Sequence, residues 1–141
     1  MNTLRTDVSF RLETKPEPDA DSLLRWLVDG LSVRGVSSSD PENIDYARVS
    51  RMVIAGVSIY VLVGLIGDGP RQWLVSTNEM PGLWDRLRRR RHMVEHAELC
   101  RRIHELLTAQ QHVHDVRWYT TVDWNEQPDT GWFDAPNSDT G

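Results

Sequence analysis

All five histidines of this chain, His92, His96, His104, His112 and His114, fall between positions 92 and 114, with the single cysteine, Cys100, among them. Four consecutive arginines, Arg88, Arg89, Arg90 and Arg91, stand immediately before. Imidazoles are the commonest metal ligands and exchange protons near neutral pH, so such a cluster raises metal and acid–base chemistry first. His92-Met-Val-Glu95-His96 spells H-x-x-E-H, in which two imidazoles one helical turn apart bind zinc and the glutamate acts as base. A third ligand has no evident owner, since Glu126 lies in a segment that reads as tail. A second arrangement places His92, His96 and His104 on or beside the apolar face of a helix, with His112 and His114 on a strand beneath it, so that imidazoles from both converge on one ion. Clustering alone supports either site. The sequence reading therefore assigns the histidines as half-buried boundary residues bonded to backbone carbonyls or to Glu95, Glu98 or Asp115, and expects neither metal nor cofactor.

Other catalytic sets are weak. Cys100 sits between Leu99 and Ile103 on the apolar side of its helix and reads as a small hydrophobe, not an activated thiolate. GLIGDG lacks the glycine spacing of a nucleotide loop and leads into a hairpin turn, not a helix. The expectation is a protein that is not an enzyme.

The arginine run winds around its helix and lines no single stripe. It reads as a solvated surface, as a contact for nucleic acid or an acidic protein, or as a latch for the chain's own acidic tail. A nucleic-acid surface would use Arg86, Arg88, Arg89, Arg90, Arg91, Arg101 and Arg102 on a helix over 86–102. Against it stand a net charge of −5 and the absence of a helix-turn-helix or RNP-type motif.

Six tryptophans are many for this length. Trp73, Trp118 and Trp124 read as core. Trp84 opens the long helical pattern on the side opposite its later core stripe, and Trp132 with Phe133, in DTGWFDAP, are two large apolar groups in an acidic tail. These two either fold back onto the domain or anchor a basic partner. On a helical wheel Met93, Ala97, Leu99, Cys100, Ile103, Leu106 and Leu107 share one side, while Leu83, Leu87 and Val94 lie nearly opposite. Either the helix breaks at the arginines or its first turns meet another chain, including a second copy of this one.

These features give the functional expectation: a non-enzymatic protein-binding module. Its form is that of an inhibitor of the immunity or anti-defence kind found in bacteria and phage, which engages a basic partner through carboxylates and aromatics. The contact set would be Trp84, Arg88, Arg89, Arg90, Arg91, Trp132 and Phe133. An arginine bias with Lys15 as the lone lysine fits a GC-rich bacterial or phage genome. One cysteine excludes an internal disulfide, the N-terminus shows no secretory pattern, and the apolar stretch 52–66 is too short for a bilayer span, so a cytoplasmic protein without a membrane segment is expected.

At 141 residues the chain suits one domain, assigned to 1–124, with an acidic, flexible tail over 125–141. Residues 6–14 alternate as a strand with Val8, Phe10 and Leu12 inward. Asp19 or Asp21 caps a helix carrying Leu23, Leu24, Leu27 and Leu31 and ending near Gly30 or Gly35. Ser39, Pro41 and Glu42 spell a capping box and predict a short helix. Residues 57–66 and 71–77 pair as a hairpin. A long helix over 82–108 and a strand over 113–124, with Val116, Trp118, Thr120, Val122 and Trp124 on one face, complete the order. The fold class is α+β: an antiparallel sheet of about four strands with helices on one face, in the split β-α-β order of ferredoxin-like domains.

Overall fold

The computed structural model describes residues 2–14, 18–44, 47–66, 72–79 and 93–139. Strand β1 (Asn2–Leu4) leads into β2 (Asp7–Leu12), whose Val8 and Phe10 are fully buried. Helix α1 (Ala20–Ser32) follows. The Asp19 carboxylate accepts from the Ser22 amide at 2.7 Å, satisfying one of the helix's otherwise orphaned first N–H groups. Leu23, Leu24, Leu27 and Leu31 form its buried stripe, each contributing about 1.5–3 kcal/mol by leaving water.

The chain then builds β3 (Ser37–Ser38), β4 (Glu42–Ile44), β5 (Ala47–Ile54), β6 (Val57–Ile66) and β7 (Gln72–Glu79) as successive antiparallel neighbours, β3 and β4 lying along the same edge of β5. Helix α2 (Met93–Thr108), β8 (Val113–Tyr119), the short helix α3 (Thr121–Glu126) and β9 (Asn137–Asp139) complete the described chain. The main sheet runs β3–β5–β6–β7–β2–β8 with β4 beside β5, all pairs antiparallel, and β1 with β9 forms a separate two-stranded ribbon. Helix α1 packs on β3, β5 and β6 and against α2, which in turn packs on β8. Gly30 permits the close approach of the helices, because a Cβ there would lie 2.5 Å from Leu106 Cδ1.

This architecture corrects the expected four-stranded, ferredoxin-like sheet. The main sheet has seven strands, and the difference lies in residues 37–54. Ser39 does not cap a helix. Its amide donates to the Arg51 carbonyl and its hydroxyl accepts from the Arg51 amide, both at 2.9 Å, so the capping-box residue serves the sheet edge instead. The apolar stretch 52–66 is two strands, split at Ala55 and Gly56, whose φ values of 50° and 80° are those of a two-residue type I′ hairpin turn.

The last strand also stops early. Thr120 leaves the sheet and caps α3, its hydroxyl accepting from the Asp123 amide at 3.1 Å. Val122 is exposed, and Trp124 stacks edge-on against Tyr119 at 5.0 Å instead of lining a strand face.

After α3 the chain turns back along the domain. Phe133 exchanges both backbone hydrogen bonds with Trp118 on the outer edge of β8, and the Arg5 amide donates to the Pro136 carbonyl at 2.7 Å. Within its ladder with β2, the edge strand β8 carries a bulge, with Asp115 at φ 55° and the register shifting between Ser9 and Arg11. Such a bulge twists an edge away from foreign strands.

Candidate functional site

Helix α2 has two working faces. The inner face supplies Leu99, Cys100, Ile103 and Leu107 to the core, all fully buried. One polar residue joins them. His96 is buried with Nε2 at 2.6 Å from the Thr77 hydroxyl and Nδ1 at 3.2 Å from the Glu79 carboxylate. Carboxylate, imidazole and hydroxyl in series are the parts of a nucleophilic relay. Here Thr77 is only 1% exposed and its hydroxyl donates to the Thr6 carbonyl at 2.9 Å. In this arrangement the relay ties β7 to α2 and offers its hydroxyl to no substrate. Cys100 lies 3.5 Å from the same hydroxyl, and burial pushes its thiol up to about 12, far from thiolate chemistry.

The outer face borders a groove of about 560 Å³, lined on one side by Met93, Val94, Ala97, Glu98, Arg101 and His104 of α2 and on the other by Leu4, Ala135, Pro136 and Asn137. Val94 is 79% exposed and Met93 47%, an unusual outlay of apolar surface on a helix whose other face is well buried. The rim is charged but internally compensated. Arg101 bonds Glu98 and Glu105, and Arg102 reaches both Glu98, at 2.9 Å, and the Arg34 carbonyl at the end of α1. The guanidinium of Arg101, aided by Arg102, holds the Glu98 carboxyl down at about 2.

Behind the α2 wall of the groove the buried Trp118 indole N–H donates to His104 Nδ1 at 2.9 Å, with the rings edge to face at 6.1 Å. Partial burial lowers the affinity of His104 for a proton, against the pull of Asp134 and Glu105. A second cavity, of about 280 Å³, lies between the start of α1 and the α2–β8 turn, walled by Leu12, Leu23, Trp26 and Val113 with Gln110 and His112 at its rim.

The histidines do not converge. His96 is held by Thr77 and Glu79, His104 by Trp118, His112 lines the smaller cavity and His114 lies 3.5 Å from Glu13. Among the described residues no group of three His, Cys, Asp or Glu side chains could hold a metal ion. His92, Trp84 and Arg88, Arg89, Arg90 and Arg91 lie outside the described residues, and with them the start of the expected long helix and most of the arginine surface. Trp132 and Phe133 are each stacked by an arginine of the same chain: Arg117 at 4.8 Å from the Trp132 ring and Arg5 at 3.5 Å from Phe133. Both rings remain partly exposed, at 37% and 43%.

Sequence reasoning placed Met93 in the core stripe, where it does not belong. It did note that Val94 faces away from that stripe, which was the available signal for the outer surface. Leu4 and Pro136 carried none, because they reach the groove only through contacts with residues distant in sequence. No described helix is long and apolar enough to cross a membrane. No protein family matches this chain, and neither does any curated protein or solved structure.

Proposed function

We propose that this chain is a polypeptide-binding module whose contact surface is the groove between the outer face of α2 and the segment 133–137. One observation carries the reading: Met93 and Val94 leave adjoining apolar side chains in water over a groove walled by Leu4, Ala97, Ala135 and Pro136. An apolar floor with a charged rim is the anatomy of a protein contact. A groove flanked by one helix and one extended segment also suits an incoming helix or strand that lays apolar side chains between them. The rim gives no support to the expected preference for a basic partner, since Glu98 is already held by Arg101 and Arg102.

Val33 provides the control for a test. It is 86% exposed, more than Val94, but stands at the end of α1 and does not line the groove. With a photocrosslinking amino acid at position 94 or 33, irradiated in the native host, a discrete adduct is expected from 94 and not from 33. It should disappear when Met93→Glu is added. Equal adduct patterns from the two positions would show that exposure, not the groove, governs contact, and would overturn the proposal.

A further inference from the structure

The bond between Trp118 and His104 constrains a proton. An indole N–H can only donate, so His104 Nδ1 must accept and the ring must be the neutral tautomer with its proton on Nε2. A second proton could go only to Nδ1, where it would face the indole N–H donor to donor. Trp118 is completely buried and cannot turn to water for another acceptor. One of the two rings must then move, and His104 is the one beside the groove.

Trp118 is also the residue whose backbone holds the C-terminal segment. Its N–H donates to the Phe133 carbonyl at 2.7 Å and its carbonyl accepts from the Phe133 amide at 2.9 Å. Two residues further along, Ala135 and then Pro136 form one wall of the groove. The charged groups around His104 come from each neighbouring element. Glu105 and Arg101 share its helix, Arg101 being engaged by Glu98 and Glu105, and Asp134 comes from the C-terminal segment.

We infer that His104 is a proton-sensing latch: its neutral imidazole is fastened to the Trp118 indole, and protonation breaks that bond and turns the ring toward Asp134 on the facing, C-terminal wall of the groove. The inference rests on the groove reading for its biological meaning but not for its physics. Burial disfavours the imidazolium, so the change falls below the usual histidine range, while Asp134 and Glu105 oppose that displacement. The ring thus stays tied to Trp118 at neutral pH and swings toward the facing wall on acidification. Acidification would change the lining of the groove and with it the fit of a partner seated there.

The test needs no partner. In the isotope-labelled full chain, the Trp118 Nε1–H resonance, assigned by its loss in Trp118→Phe, is followed by NMR from pH 8 to pH 5 beside the His104 ring Cε1–H. Both should move with one midpoint, together with the Phe133 amide, and exchange of the indole proton should accelerate about tenfold below it. In His104→Gln, whose side-chain carbonyl can accept the indole proton but does not titrate, the step at Trp118 should vanish. Asp134→Asn should move the midpoint to lower pH, because an anion that favours the imidazolium is gone. An indole resonance that stays flat while His104 titrates, or a step that survives in His104→Gln, would overturn the latch. Failure of crosslinking from position 94 with an intact titration step would instead overturn only the groove.

Discussion

His96 and His104 sit two turns apart on one helix and do opposite things. His96 has both nitrogens engaged by partners inside the fold, Thr77 and Glu79, and its removal should be felt as lost stability. His104 has one nitrogen occupied by a donor that tolerates only its neutral form, and it borders an open groove. The contrast separates structure from function along α2: the inner face is polar where it must join two elements, and the outer face is apolar where a globular protein alone gains nothing from it.

The largest expected effect breaks this comparison at the inner face. His96→Ala removes a buried ring and its hydrogen bonds to Thr77 and Glu79, at a cost of about 3 kcal/mol in urea denaturation. Val94→Glu, on the outer face, should change stability by less than about 0.5 kcal/mol. Comparable losses in the two variants would dissolve the distinction.

Next in size is the contact that sets the helix pair in place. Gly30→Ala should destabilise by about 1–3 kcal/mol, because the new methyl meets Leu106 and the overpacking exceeds the gain in helix propensity. In a Leu106→Ala background the same substitution should cost nothing or stabilise. A cycle without coupling would mean that the close approach of α1 and α2 is not what Gly30 provides.

Asp7, close to His96 and bonded to Ser76 beside Thr77, sharpens the comparison at the inner face. Burial raises its carboxyl above the ordinary range, opposed by hydrogen bonds from Ser76, at 2.7 Å, and from Thr121 and Thr6. The folded state therefore holds the proton more tightly than the unfolded chain. The stability this contributes is fully present below the ordinary carboxyl range near 3.8 and is lost as pH rises through the elevated value. Asp7→Asn should flatten that decline, so that parent and variant diverge in urea midpoint as pH is raised above 4. Curves that run parallel over this range would contradict the assignment.

The smallest effect lies on the groove rim. Arg101 is more than half exposed, so Arg101→Ala should cost under about 0.5 kcal/mol despite its two carboxylate partners. Glu98, held at about 2, gives its share of stability above the ordinary glutamate value near 4.5 and loses it as pH falls through 2. Arg102→Ala should cost more than Arg101→Ala, because Arg102 also reaches the Arg34 carbonyl and joins the two helices.

How much of this was legible in the sequence depends on how local each signal was. Helix α1 could be read because its cap at Asp19 and its leucines lie within one short stretch, and the β6–β7 hairpin because its apolar run and turn do. The edge formed by β3 and β4 could not. Ser39, Pro41 and Glu42 carry a valid local signal for a helix start, and the Arg51 backbone outcompetes it from twelve residues away. Thr120 misled in the reverse sense, as a good strand former whose hydroxyl is used to cap α3. Of the site, the outward phase of Val94 was visible, while the wall supplied by Ala135 and Pro136 depends on Phe133 pairing with Trp118, which no periodicity encodes.

The central claim is that α2 and the C-terminal segment form one contact surface together. Its most direct test is the crosslinking yield from position 94 in chains that also carry Phe133→Ala, with the urea midpoint confirming that the fold is kept. If the surface is shared, loss of the ring that helps seat the segment lowers the yield at 94 several-fold. An unchanged yield would contradict the claim and leave α2 as the contact by itself.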